Sequence, residues 1–403
     1  MSAVEASAAR PALRALHLNS LLTGGGTDDQ CVKLVQGLGQ LGVEARLAGP
    51  EGREYSRIAR DLHLPFCPTP PEGPLKLGFI LAAARLLRRE RFPIVHGHHG
   101  RDIWPTILAA RLSGVRPRIV LTRHLAKSPS SWFSRRFLLG QCDVLIAVSH
   151  FTARVLREGV YEPDALEAER RARPPLIGDL SRIRVLHGGI DTGRFRPFDA
   201  AAQRQQWGLK PDDYAFGVVG GYEPPRGKGQ REFLRAAARI HTEIPRARFL
   251  IIGRGGLAEQ LRADIQALGL GDKAWLTPYC HDMPAAMNAL DCLVHPQVGT
   301  EALGMVLLEA FACGKPAIAS ALDGIPEAFA VANYGTLVPP DDVEALAAAL
   351  RHWAAVPPLP PAQRRRLWER VDRDFSLEAS AARIKQCYED LLRSRQALPC
   401  KRL

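Results

Sequence analysis

The sequence predicts an α/β protein of two doubly wound domains with a cleft between them. Three observations carry that expectation. Short β-type runs alternate with longer stretches of helical periodicity, the pattern of a parallel sheet covered by helices on both faces. The rhythm stops before residue 195 and restarts near residue 215. The chain has 403 residues, 46% of them hydrophobic, which is too long for one ordinary core and apolar enough for two.

In chain order, residues 13–18 read as a strand, 23–27 as a glycine loop, 28–41 as a helix and 43–47 as the next strand. Strands at 94–96, 119–122, 144–148 and 183–186 continue the series, with helical stretches between them. Residues 191–211, interrupted by Pro197 and Pro211, read as a linker. The second series has strands at 215–219, 248–252, 274–276, 292–295, 317–319 and 335–338, and helices at 230–243, 257–268 and 301–313. Residues 162–175, rich in Arg, Glu and Pro, read as an exposed insertion, and the prolines of 357–361 as an extended surface connection. A last helix over 377–395 carries Ala381, Ile384, Tyr388, Leu391 and Leu392 at helical spacing and needs a surface to pack on. The expected division is 1–195, 196–375 and 376–403.

Composition narrows the classes. With 54 Lys+Arg against 42 Asp+Glu the net charge is +12, most of it in residues 1–200, while 251–350 is acidic. Disorder, collagen and coiled coil do not fit. The longest clean apolar run, 77–84, ends at Arg85, far short of the ~20 residues of a membrane span. The first residues lack a basic region followed by an apolar core, so no signal peptide is expected. Eight cysteines without a C-x-x-C pair fit free thiols in a reducing, cytoplasmic compartment. A basic first half suits nucleic acid, an anionic membrane or phosphorylated substrates, or is simply a solvated surface.

Four motifs bear on chemistry. Gly37, Gly39 and Gly42 match G-x-G-x-x-G, but a helix precedes them and a strand follows, the reverse of a dinucleotide site; they read as a helix end. Residues 221–229 faintly resemble a P-loop without its Ser or Thr; Arg226 and Lys228 between a strand and a helix suit a diphosphate. Gly24, Gly25 and Gly26 also join a strand to a helix, and read either as an anion site or as a tight turn. In 300–327, Glu301 and Glu309 stand eight apart. If both are helical they lie ~80° apart in rotation and about 12 Å apart along the axis, at two ends of an elongated ligand. Gly304 frees backbone amides there, and Glu309 sits among Leu307, Leu308, Ala310 and Phe311, where an unpaired carboxylate is costly.

This E-x7-E stretch, with A-C-G-K-P at 312–316 and G-I-P-E at 324–327, resembles glycosyltransferase family 4, whose members have the GT-B fold of two Rossmann-like domains. Residues 183–197, with Asp191, Phe195 and Pro197, residues 143–149 and the final helix with Tyr388 are similar to the same family. The resemblance implies that the final helix crosses back onto the first domain. It implies that Glu301 holds hydroxyls of the donor sugar, that the backbone of Leu303, Gly304 and Met305 meets sugar and phosphate, and that Glu309 holds ribose hydroxyls. Lys228, helped by Arg226, would neutralise the diphosphate, and Gly24, Gly25 and Gly26 would close on the donor from the other domain. His98 would face the reacting centre, with Arg101 and His124 on the acceptor side. The chain departs from the family at Gly221, where an Arg is common, at Gly188, where an Asn is common, and at Gln297, which replaces a Ser.

The implied reaction is a retaining transfer from a nucleotide-diphospho-sugar, with UDP as the family's usual nucleotide, needing no cofactor or metal. The D-x-D at 372–374 reads as surface. Phe79, Ile80, Leu86 and Leu87 among basic residues of 75–91, and Trp132, Phe133 and Phe137 beside Arg135 and Arg136, suggest docking on the inner face of an anionic cytoplasmic membrane. The expected acceptor is then a lipopolysaccharide core or related envelope glycan; an ordinary core helix with a solvated basic face fits 75–91 as well. Two alternatives stand beside this reading: a GT-B relative such as a sugar-nucleotide epimerase or a phosphorylase, and a non-catalytic basic protein that binds nucleic acid.

Overall fold

The computed structural model describes residues 13–71, 73, 76–159, 174–278 and 280–396. Seven strands form the first sheet: β1 (Arg14–Leu18), β2 (Glu44–Pro50), β3 (Phe66–Thr69), β4 (Ile94–Gly97), β5 (Arg118–Arg123), β6 (Val144–Ala147) and β7 (Ile183–Val185), in the order β3-β2-β1-β4-β5-β6-β7. Six form the second: β8 (Tyr214–Val219), β9 (Ala247–Ile252), β10 (Ala274–Leu276), β11 (Cys292–His295), β12 (Ala317–Ser320) and β13 (Gly335–Val338), in the order β10-β9-β8-β11-β12-β13. Every pairing is parallel. Strand order reverses between β1 and β4 and again between β8 and β11, which places a crevice at the carboxyl ends of each pair.

The strands read as near-continuous apolar runs because both faces of each sheet are covered; all six residues of β8 are buried. The one strand not expected from the sequence is β3. It pairs only with β2 and contains Pro68, which cannot donate to a ladder and is tolerated at this sheet edge. The insertion expected at 162–175 falls almost wholly outside the described residues.

One face of the first sheet packs on the helix Gly26–Gln40, through Val32, Val35 and Leu38, and on the last helix, Leu377–Gln396, through Ala381, Ile384 and Tyr388. The final helix does cross back onto the first domain. Gly37 is the contact point: a Cβ there would lie 2.9 Å from that of Ala381 and 3.1 Å from the Leu377 carbonyl oxygen. The dinucleotide-like glycines are thus a helix crossing and a turn. The buried Tyr388 hydroxyl meets His96 Nδ1 at 2.6 Å, and His96 Nε2 meets Thr122 Oγ1 at 2.6 Å, tying this helix to β4 and β5.

The chain passes between the domains twice at one place. Ile190 N–H donates to the Phe375 carbonyl (2.8 Å), and Leu377 N–H donates to the Ile190 carbonyl (3.0 Å). Asp372, expected at the surface, accepts a 2.5 Å hydrogen bond from Thr192 Oγ1 beside this crossing. Nearby, Glu327 of the second domain accepts from the His150 backbone N–H (2.8 Å) and pairs with His187 Nε2 (2.5 Å).

Candidate active site

On the second domain the site is built from loops at the carboxyl ends of β8, β9, β11 and β12. The loop after β8 runs into the helix Gln230–Ile240, and Gly229 makes its approach possible. Its φ is +83°, and a Cβ there would collide with the Pro296 carbonyl oxygen. The P-loop's Ser or Thr is absent because this backbone contact leaves it no room. Lys228, one residue earlier, reaches across to the loop after β11: its Nζ lies 2.8 Å from Glu301 Oε2. Arg226 is half-buried, and its guanidinium has no acceptor among the described residues.

Glu301 is not helical. The helix begins at Met305, after Gly304 with its φ of +88°, so the rotation expected for a continuous helix does not apply. Glu301 instead lies in the preceding loop. Its backbone N–H donates to Asp323 Oδ2 (3.2 Å), and its own Oε1 accepts the Ala302 N–H (3.1 Å). Burial pushes its carboxyl up, but the charge of Lys228, then His295, and the Lys228 hydrogen bond outweigh this and hold it below the usual range. The N–H groups of Leu303, Gly304 and Met305 have no acceptor among the described residues, so this helix start presents free donors, an arrangement suited to an anion.

Glu309 lies one turn into that helix and faces the first domain. Its carboxylate makes no hydrogen bond among the described residues. Burial pushes it up to about 7, with Lys33 opposing and Asp29 adding to the rise. Lys33 and Asp29, paired at 2.7 Å, belong to the helix Gly26–Gln40, so Glu309 sits where the two domains meet.

The glycine loop of the first domain is held to the same helix. Asp28 accepts from Asn19 Nδ2 (2.8 Å) and from the Gly24 N–H (2.9 Å). A Cβ on Gly25 or Gly26 would meet nothing within 4 Å, so this loop faces open space. Beside it, Glu54 accepts from Arg254 Nη2 at 2.8 and 3.1 Å, an ion pair that joins the two lips of the cleft.

The histidines form a separate cluster. His98 is fully buried, its Nε2 lies 2.9 Å from His17 Nδ1, and its Nδ1 has no partner among the described residues. Burial drives His98 well below its ordinary value and His124 to about 3, so both are neutral at neutral pH. They share a cavity of about 30 Å³ with Lys33 and His187. Arg101 is exposed on the turn after β4. The structure therefore brings Lys228 to Glu301, and Glu309 to Lys33. It sets His98 and His124 on the other side of Lys33, with no direct contact to the Lys228–Glu301 pair.

His295 was not found in the sequence. It is the last residue of β11, fully buried, with no hydrogen bond to either ring nitrogen among the described residues and Nε2 3.8 Å from Glu301 Oε2. Burial lowers it to about 4, so it stands neutral behind the glutamate. Its C-L-V-H context reads as strand core, and only the sheet order shows what it faces.

Two family models match the chain. "Glycosyltransferase Family 4" covers residues 24–166, and "Glycosyl transferases group 1" covers residues 199–369. A D-inositol 3-phosphate glycosyltransferase of Segniliparus rotundus is 32% identical over 55% of this chain and 50% of its own length. The chain spans about half the length of the curated relatives it matches. Among solved structures, Anabaena HepE with UDP and glucose superposes with a TM-score of 0.73 at 19% identity, covering 94% of this chain and 99% of that one. The lipopolysaccharide outer core galactosyltransferase WaaB gives 0.67 at 14% identity, covering 94% and 99%. Both likenesses concern the fold. With one family model on each domain and the strand order described above, the chain belongs to the GT-B glycosyltransferases of family 4.

Proposed function

We propose that the chain transfers a sugar from a nucleotide-diphospho-sugar, UDP being the expected nucleotide, to an acceptor hydroxyl with retention of configuration. The observation that carries this is the cluster at the carboxyl ends of β8 and β11: the Lys228–Glu301 pair, the unpaired Arg226, and the unbonded amides of Leu303, Gly304 and Met305. In this reading Lys228, Arg226 and the amides neutralise the departing diphosphate. Glu301 holds sugar hydroxyls and Glu309 the ribose. Gly25 and Gly26 approach the donor from the opposite lip. The departing diphosphate takes the acceptor's proton on the same face, so catalysis is positioning plus charge stabilisation, without a metal. His98, Arg101 and His124 belong to the acceptor side.

The acceptor is a lipid-linked envelope glycan, of the lipopolysaccharide type, met on the inner face of the cytoplasmic membrane. Support comes from exposed Trp132, Phe133 and Phe137 beside Arg135 and Arg136 on the first domain. A second reading, a soluble phosphorylated polyol, is favoured by the name of the Segniliparus relative.

A thermal-shift panel of nucleotide sugars tests the donor. A UDP-sugar at 100 times its dissociation constant adds ~2.7 kcal/mol of stability, and Lys228→Met removes most of the shift. Absence of a shift with every nucleotide sugar, or donor turnover that needs no acceptor, refutes the transferase reading.

A further inference from the structure

The second domain has a large cavity at the edge of its sheet opposite the donor loops. The residues before β8, β11, β12 and β13 surround a space of about 1380 Å³, bounded on the outside by the proline segment 357–361 and the helix Pro361–Phe375. The reaction loops lie at the carboxyl ends of these strands and this cavity at their amino ends, so the sheet separates the two.

Its charges do not balance. Asp291 Oδ2 is taken by Arg204 Nη1 (3.0 Å) and by the Ala215 N–H (2.8 Å). Asp213 is paired with Arg248 (2.9 Å). The remaining lining carboxylates, Asp199 and Asp212, are exposed at the rim. Lys315, Arg364 and Arg196 also line the cavity, and among the described residues none of their side chains has an acceptor; the Arg364 Nε is buried and unpartnered. Burial holds the Lys315 ammonium below its usual value. Asp291 opposes this, and Arg364 and Arg204 lie close enough to add their repulsion. Arg196 is exposed, but Lys315 and Arg364 are half-buried, and partly desolvated cations without an acceptor are costly unless a ligand supplies one. Tyr334 and Trp368, both half-buried, add aromatic wall beside them.

We propose that this cavity is a second ligand site, for an organic phosphate whose phosphoryl oxygens lie between Lys315 and Arg364 and whose body rests on Tyr334 and Trp368. A guanidinium and an ammonium together suit a phosphoryl group, one by its planar fork and the other as a point charge. The volume exceeds the ~300–1,000 Å³ of common small-molecule pockets, so a phosphate with a substantial body fits.

Calorimetric titration of the full chain with phenyl phosphate, beside inorganic phosphate, tests this. The expected result is saturable binding, several-fold tighter for phenyl phosphate. It weakens at least tenfold in Lys315→Met and in Arg364→Met, persists in Lys315→Arg, and is unchanged in Lys228→Met. Each variant's far-ultraviolet circular dichroism and melting temperature check that it is folded. The proposal is overturned by no saturable binding, by inorganic phosphate binding as tightly, or by binding lost in Lys228→Met and kept in folded Lys315→Met. That last outcome would assign the anion to the donor loops.

Discussion

Glu309 sets the proton balance of the candidate site. Its folded value of about 7 lies above the ordinary 4.5, so between these values the folded chain holds a proton that the unfolded chain releases. The stability this carboxyl contributes is present below pH ~4.5 and is lost as the pH rises through about 7. In the proposed donor site ligand binding runs the other way, because only an ionised Glu309 would offer both oxygens as acceptors to ribose hydroxyls. The donor KM is therefore expected to rise about tenfold from pH ~8 to pH ~6, following the ionised fraction of a group near 7. Glu309→Gln should flatten that profile and raise the melting temperature at pH ~8. An unchanged pH profile in Glu309→Gln would remove Glu309 from the donor site. In its proposed role Lys228 acts through its charge. Lys228→Met should cost about 3–4 kcal/mol of transition-state stabilisation, read as kcat/KM down by a factor of ~10² to 10³. It also strands Glu301 beside neutral His295, so its carboxyl should titrate at higher pH.

Among the elements, Gly37 makes the sharpest prediction. Adding a side chain at the crossing of the helices Gly26–Gln40 and Leu377–Gln396 must push them apart. Gly37→Val should cost ~1–3 kcal/mol, the usual penalty of overpacking. Gly39→Ala, two residues on, points into open space and should be neutral or gain ~0.5–1 kcal/mol from helix propensity. Paired denaturation curves check both, and equal effects would mean that the crossing does not depend on Gly37. The same scale shows what the residues alone could tell. The apolar runs located twelve strands, because a strand buried on both faces is written in its own residues. β3 was not legible, since Pro68 breaks its pattern and only the neighbouring β2 stabilises it. The start of the helix at Met305 was missed because Glu301, Ala302 and Leu303 read as helix formers, and the left-handed Gly304 overrides them. Both loops of the candidate site, 221–229 and 300–304, are visible as motifs. The Lys228–Glu301 contact was not, because those residues are 73 apart in sequence and meet only through the β8–β11 pairing. His295 was hidden for the same reason.

For the whole molecule, the distribution of charge and apolar surface matters more than the net +12. Phe79, Ile80 and Leu87, read from sequence as part of a membrane-facing stretch, are buried in the first domain's core, and Leu86 packs partly against it. The exposed large apolar groups on their helix, Leu77–Glu90, are Leu77 and Leu81. Trp132 at 62% and Phe133 at 53% exposure extend the surface on the helix Trp132–Gln141. Among the described residues no helix is long and apolar enough to cross a membrane, so any attachment through them is to the surface. The chain should float with vesicles containing anionic lipid and less with neutral ones. Replacing both Trp132 and Phe133 by Ser should reduce the recovery several-fold, since each removes a large apolar side chain worth ~1.5–3 kcal/mol when buried. Equal recovery on anionic and neutral vesicles would sink the membrane docking.

The double crossing at Ile190 and Phe375–Leu377 also governs how the domains can move. Both covalent links pass through one hydrogen-bonded point, so a rotation of one domain against the other pivots there, like a lever on a short fulcrum. His187, three residues from Ile190, travels little in such a swing, and its contact with Glu327 acts as an inner stop. Glu54 and Arg254 join the opposite lips of the cleft and act as the outer catch. Because that pair is exposed it holds weakly, ~0–1 kcal/mol, so Arg254→Ala should ease opening and donor exchange while leaving the melting temperature almost unchanged.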